Sequence, residues 1–279
     1  MQWQILQADV IAASDSKRRQ RTYEGNKRRM RRETVNRIRF VLEELLPPAF
    51  RDSAMMRFMF RRKWGSLVDD LEMFRRNISS LTAEEYDRIY ARLPRIQDET
   101  DNSEECLRAI LNHARGPRIC DVGCGTGYLM NYLERSGRFP DCELTGVDFQ
   151  VADSLAQGGG RIKYLQAWVE ELPFPDSHFD TVICTHVLEH ILDIRAAITE
   201  LRRVCRQRLL IVVPLEREYR FTFNPHLHFF PYPHSFLRYI MPVPTTHEMQ
   251  VIGRDLLYME EKICRVGEGK GPGRSARSD

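Results

Sequence analysis

No stretch of the 279-residue chain reaches the roughly 18 consecutive apolar residues that a membrane-spanning helix requires. The first residues also lack a basic segment followed by an unbroken apolar one, so neither a span nor an export leader is expected. Cysteine is sparse and poorly spaced for pairing. The seven are Cys106, Cys120, Cys124, Cys142, Cys184, Cys205 and Cys264, an odd number with no C-x-x-C pair. This argues against a disulfide framework or a zinc ribbon, and the expectation is a protein of the reducing cytoplasm. No internal repeat is present, and no glycine loop ends in the G-K-[ST] of a P-loop. Against these absences, 42% of the residues are hydrophobic and 29% charged, enough apolar material to bury a sizeable core and too much for wholesale disorder.

The net charge of +3 conceals a strong local imbalance. Residues 17–39, from Lys17 to Arg39, carry eleven basic side chains against Glu24 and Glu33, a local charge of +9 that leaves −6 for the rest of the chain. Such an arm is either a solvated helical face or a contact for phosphates, an anionic membrane surface or an acidic partner.

Two regions differ in pattern. Over 34–46 the apolar residues Val35, Ile38, Val41, Leu42, Leu45 and Leu46 mark one face of an amphipathic helix that Pro47 and Pro48 stop. Residues 54–60 are apolar and Met-rich and precede Arg61, Arg62 and Lys63, which suggests a short helix with a basic far face. Thr82 and Glu85 have capping-box spacing ahead of a helix over about 83–93. Residues 1–100 therefore read as a helical region that can cap a substrate site. From Pro117 onward, short β-branched runs at 118–122, 143–147, 162–165, 181–185 and 209–213 alternate with helical stretches at 128–136 and 194–205. Alternation of this kind predicts a Rossmann-like, mostly parallel sheet with helices on both faces, closed by two final strands at 249–252 and 256–263 that are antiparallel near one edge. The unit is expected to span 105–265, and residues 267–279, with four glycines, are expected to be a disordered tail.

The first strand runs directly into Gly123-Cys124-Gly125-Thr126-Gly127. A strand, a glycine turn and a helix start make a nucleotide site at the carboxyl end of a parallel sheet. A dinucleotide fingerprint needs glycine at 128 or 130, where Tyr128 and Met130 stand, so the loop suits a nucleoside without a phosphate chain. Asp148 lies 21 residues after Gly127 at the tip of the second strand, the place of a carboxylate that accepts from both ribose hydroxyls.

Four ordered segments carry a resemblance: Asp-Val-Gly-Cys-Gly-Thr-Gly at 121–127, Leu-Thr-Gly-Val-Asp at 144–148, Glu-Leu-Pro-Phe-Pro-Asp-Ser-His-Phe-Asp at 171–180 and His-Val-Leu-Glu-His at 186–190. Together they resemble class I S-adenosylmethionine-dependent methyltransferases, in the type 11 group that includes ubiquinone-biosynthesis O-methyltransferases. The resemblance implies that S-adenosylmethionine is the cofactor. It further implies that Asp121, Gly123, Cys124, Gly125 and Gly127 line its methionine end, that Asp148 holds the ribose, and that Phe149 lies beside the adenine. Relatives usually read Gly-Asp-Ala before Leu-Pro-Phe, with the aspartate on the adenine amino group. Here Ala167-Trp168-Val169 stands, so Trp168 packs over the adenine or the pocket is rearranged, while the Val169 backbone N–H remains as a donor.

Methyl transfer needs an aligned acceptor and, for a hydroxyl, a base, for which histidine suits neutral pH. His186, Glu189 and His190 follow the fourth strand, and His226, His228 and His234 follow the fifth. Three readings stay open. His190 or His228 acts as a base; or His186, Glu189 and His190 with His226 or His228 hold a divalent metal, the less favoured option; or these residues tie loops to the core. The aromatics Phe221, Phe223, Phe229, Phe230, Tyr232, Phe236 and Tyr239 form a candidate acceptor wall or a packed lid. The expected reaction is methylation at oxygen of a small-molecule, glycan or lipid-linked acceptor. The alternatives are an RNA methyltransferase using the arm 17–39, for which Asn224-Pro225-His226 only partly matches a base-methylation motif, and a non-catalytic scaffold.

Overall fold

The computed structural model describes residues 37–65, 67–77, 80, 82, 100–156, 160–220 and 226–262. Most of the basic arm, the helix expected at 83–93, Phe221 and Phe223, and the tail 267–279 lie outside the described residues.

Seven strands form one sheet: β1 (Arg118–Val122), β2 (Glu143–Asp148), β3 (Lys163–Gln166), β4 (Phe179–Thr185), β5 (Cys205–Pro214), β6 (His247–Ile252) and β7 (Asp255–Glu261). Their order is β3-β2-β1-β4-β5-β7-β6, with β1 to β5 parallel and β7 antiparallel to both neighbours, as the alternating pattern predicts. All seven residues of β4 are buried, which is why its centre, Val182–Cys184, is a continuous apolar run rather than an alternating one. The chain winds outward from β1 to β3, then returns to lay β4 on the other side of β1. The crevice outside the carboxyl ends of β1 and β4 is therefore the switch point at which open α/β sheets bind ligands.

Helices cover both faces. Four precede or flank the first strand: α1 (Pro48–Arg51), α2 (Ala54–Trp64), α3 (Leu67–Arg76) and α4 (Glu104–His113). The remainder are α5 (Tyr128–Arg135), α6 (Asp153–Ala156), α7 (Ile194–Val204) and α8 (Pro233–Ile240). On one face Ile194, Ala197, Ile198, Leu201 and Val204 of α7 pack with Phe236 and Ile240 of α8 against β4 and β5. Their i, i+3, i+4, i+7 spacing gives the apolar stripe, and the Asp193 carboxylate caps α7 by accepting from Ala196 N at 3.0 Å. On the other face Cys106, Leu107 and Ile110 of α4 meet Leu129, Met130 and Leu133 of α5.

The described part of the N-terminal region is helical. It is joined to the sheet's carboxyl edge by a small cluster of Leu42, Met56, Phe60 and Val68 around Tyr219, which follows β5. The 34–46 segment departs from the regular helix its periodicity predicts. After one turn it widens into a π-helical turn at Val41–Leu45, leaving Val41 and Leu45 exposed while Leu42 and Glu43 are buried. The cause is ionic: Glu43 pairs with Arg39 and with Arg254 beside β7, so a carboxylate takes a place that periodicity gives to an apolar residue. No helix among the described residues is long and apolar enough to cross a membrane.

Candidate functional site

The loop after β1 is shaped by what its glycines omit. Gly123 has φ +82°, and a Cβ there would lie 2.0 Å from Val187 Cγ2. Gly127 has φ +73° as the N-cap of α5, and a Cβ would lie 2.5 Å from the Tyr164 hydroxyl. Both the conformation and the space demand glycine. The backbone amides of Gly123 and Cys124 donate to Val147 O at 2.7 and 3.0 Å, fixing the turn against the end of β2.

Asp148 completes that turn. One carboxylate oxygen accepts from Gly125 N at 2.8 Å and the other from Gln150 N at 3.0 Å, so the acid braces the glycine loop across the crevice. Each oxygen keeps a lone pair for a further donor. Asp121, at the end of β1, differs. It is buried, its Oδ1 finds no hydrogen-bond partner among the described residues, and burial together with the nearby Asp148 charge pushes its carboxyl up to about 8. A buried acid that lacks a partner in a ligand crevice suits a cationic group.

Phe149 and Trp168 stack on each other with ring centroids 5.4 Å apart and planes inclined by 29°. Trp168 is held by a bridge to Glu171 and remains half exposed, whereas Val169 is buried. An adenine between the two rings would need them about 7 Å apart, so in this arrangement a base can stack only on an outer face of the pair. Tyr164, which walls the glycine loop together with Val187, belongs to no motif; its role becomes visible only once β3 flanks β2.

The histidines divide into distinct groups. His186 takes a left-handed φ of +54°, an uncommon conformation for a residue with a Cβ. Its ring lies 3.6 Å from Glu189 and 4.0 Å from Asp255. Burial lowers the imidazole's affinity for a proton, but these two acids outweigh it and leave the His186 pKa raised. Glu189 is buried as well. Burial pushes its carboxyl up, yet His186, His190 and His226 more than compensate and hold it below the ordinary carboxylate range. The 3-10 turn Leu188–His190 is stitched to the loop after β5, since Leu227 N and His228 N donate to Glu189 O at 2.7 and 3.1 Å. This brings His226 against His190, with rings edge to face and centroids 4.6 Å apart. His226 Nδ1 is bonded to Glu216, an acid of the β5 loop that sequence spacing does not single out and that also pairs with Arg39. His228 stands apart, its Nε2 on Ile191 O at 2.8 Å and its ring edge-on to Tyr239. Desolvation lowers its pKa, so it is neutral near pH 7. His234 stacks on Tyr232, away from the trio of Glu189, His190 and His226.

A cleft of about 840 Å³ opens between the N-terminal helices and the segment after β5, lined by Leu45, Pro48, Arg51, Arg217, Phe229, Pro231, Ser235, Arg238 and Tyr239 among others. Of the aromatics read as a candidate acceptor wall or a packed lid, Phe229 and Tyr239 line this cleft. Phe230 and Phe236 do not: both are fully buried in the core, where Phe236 of α8 packs edge-on against both Phe230 and Tyr258.

Residues 120–213 match the family of methyltransferase domains. The chain is 36% identical over 104 residues to the uncharacterized methyltransferase YcgJ of Bacillus subtilis, an alignment covering 34% of this chain and 40% of that protein. It is 38% identical over 90 residues to a ubiquinone biosynthesis O-methyltransferase of Azorhizobium caulinodans, covering 30% and 34% respectively. The chain therefore spans less than half the length of these relatives. A solved S-adenosylmethionine-dependent methyltransferase from Aquifex aeolicus aligns with 57% of this chain and 89% of its own at 15% identity, with a TM-score of 0.46. Residues 120–213, which run from β1 into β5 and contain the glycine loop and Asp148, are thus the part of the chain that is similar to methyltransferase domains.

Proposed function

We propose that the protein transfers the methyl group of S-adenosylmethionine to an oxygen of a small-molecule, glycan or lipid-linked acceptor. The observation that carries the reading is the pairing of Asp121, a buried acid with a partnerless oxygen, with the cradle of Gly123 and Gly127 beneath Asp148. In this reading Asp121 faces the ammonium of the cofactor's amino-acid end, and the backbone of Gly123, Cys124, Gly125 and Gly127 lies against that end. Asp148 accepts from the ribose hydroxyls, Phe149 and Trp168 offer a stacking face to the adenine, and the Val169 N–H meets its ring edge. When bound, the cofactor supplies an electrophilic methyl carbon on a sulfonium, a reactive group that the protein need only aim.

The chain's own residues supply alignment, exclusion of water and a place for the proton. The 840 Å³ cleft is large enough for a drug-sized acceptor. Its wall carries Phe229 and Tyr239 for apolar or sugar faces and Arg51, Arg217 and Arg238 for polar or anionic groups. His228 is the favoured base. Its neutral ring spends Nε2–H on the Ile191 carbonyl, which leaves Nδ1 to take the hydroxyl proton of the acceptor. His190 is the second candidate. The name of the Azorhizobium relative, an O-methyltransferase, agrees with oxygen as the acceptor atom. At the described end of the basic arm Arg39 is turned inward onto Glu43 and Glu216, whereas Arg37 is exposed.

The test is mass spectrometry of small-molecule and lipid extracts incubated with the protein and a trideuteromethyl donor. A labelled O-methyl product that is lost with His228→Ala supports the reading, while label confined to RNA overturns it.

A further inference from the structure

We propose that Glu189, His190 and His226 form a binding site for one divalent transition-metal ion of the zinc type, with Glu216 as the outer partner that orients His226. One carboxylate oxygen and one ring nitrogen from each histidine already lie within 4.8 Å of one another. A tetrahedral zinc ion with bonds of about 2.0–2.1 Å keeps its ligand atoms about 3.4 Å apart, so closure asks for small side-chain rotations and no backbone movement.

Three further features point to an ion rather than to chance proximity. Glu189 is only 1% exposed, and its Oε2 has no hydrogen-bond partner among the described residues, a state that is unfavourable unless something occupies the position. Glu216 holds Nδ1 of His226, which fixes the tautomer and leaves Nε2 as the ligand atom. This is the carboxylate–histidine arrangement that accompanies metal-bound imidazoles, and Arg39 anchors Glu216 in turn. His190 is the partly exposed member of an otherwise buried trio, so the site has an entry. Two imidazoles and one carboxylate suit a borderline cation better than magnesium or calcium, and three protein ligands leave a coordination position for water or an acceptor oxygen. The turn bearing Glu189 and His190 follows Val187, the side chain that walls Gly123, so the site lies next to the glycine-loop crevice.

Binding is independent of the methyltransfer reading and is tested apart from it. The full chain is stripped with a chelator, dialysed, and titrated with Zn²⁺ by calorimetry and with Co²⁺ by visible absorption. The expected result is one equivalent per chain and a Co²⁺ spectrum of low coordination number. Glu189→Gln and His226→Gln should each weaken binding at least about tenfold, and Glu216→Gln about 10–100-fold, whereas His228→Gln should leave stoichiometry and affinity unchanged. Absence of stoichiometric Zn²⁺ and Co²⁺ binding by the folded wild type overturns the proposal without reference to any variant. Equal affinity in wild type, Glu189→Gln and His226→Gln overturns it as well. Titration of the same samples with S-adenosylhomocysteine reports separately whether the cofactor site is intact.

Discussion

Replacing Asp121 with asparagine removes a carboxyl that the crevice lets ionise only at a cost. In the ligand-free protein burial, reinforced by Asp148, raises this carboxyl from 3.8 to about 8. Between those values the folded chain keeps a proton that the unfolded chain has lost, so folding stability falls as pH rises, by about 1.4 kcal/mol per unit for one group. Over the four-unit window the loss amounts to at most about 6 kcal/mol, less whatever relaxation recovers. Asp121→Asn should flatten that slope and leave the variant more stable than wild type at pH 8 in urea unfolding. Cofactor binding then works in the opposite direction. If the ammonium of S-adenosylhomocysteine pairs with ionised Asp121, binding expels the proton. At pH 7 a group titrating near 8 releases about 0.9 proton. Between pH 6 and 7.5 affinity should rise about tenfold per unit and then level off, with Asp121→Asn weak and pH-independent. Calorimetry in two buffers of different ionisation enthalpy counts the proton directly. Zero protons exchanged at pH 7, with wild-type affinity flat from pH 6 to 8, would refute the assigned role of Asp121.

Other perturbations separate the remaining parts of the crevice. Asp148→Ala loses two backbone hydrogen bonds and the ribose acceptor, so S-adenosylhomocysteine affinity should fall at least about tenfold while circular dichroism stays native; unchanged affinity by calorimetry would remove the ribose contact. Gly123→Ala combines a left-handed φ with a Cβ driven into Val187 and should cost about 3 kcal/mol of stability; adding Val187→Ala should restore only the steric share, and a fully stable single variant would show the loop to be more pliant than its geometry. Trp168→Ala should lower cofactor affinity about 3–10-fold with little change in Tm, because the ring is half exposed and its stacking is worth about 0.5–1.5 kcal/mol. An equal loss of affinity for adenosine and for methionine would place that effect away from the adenine.

The sheet was readable because its strands are covered on both sides. Runs such as Ile119–Val122 and Val182–Cys184 are apolar in every residue or nearly so, and glycines or prolines punctuate them, so both position and parallel pairing follow from local sequence. The glycine loop and Asp148 were legible for a related reason: they are adjacent in sequence to the strand ends that place them. Contacts between distant segments were not legible. Glu216 reaches His226 ten residues on and Arg39 far upstream, and no periodicity marks a carboxylate whose partners lie on other elements. Burial of Glu43 by Arg39 and Arg254 displaced the apolar face that the 34–46 pattern describes. Among the aromatics after β5, sequence shows that Phe229, Phe230, Phe236 and Tyr239 cluster. Only the docking of α8 decides that Phe230 and Phe236 go to the core and Tyr239 to the cleft.

The most direct test is a crystal structure of the full chain grown with S-adenosylhomocysteine. The account requires the ribose hydroxyls on the Asp148 carboxylate, the amino-acid end over Gly123 with its ammonium toward Asp121, and the adenine on an outer face of Phe149 or Trp168. An empty crevice at saturating ligand, or a ligand bound elsewhere with the Asp121 oxygen still unpartnered, would contradict it.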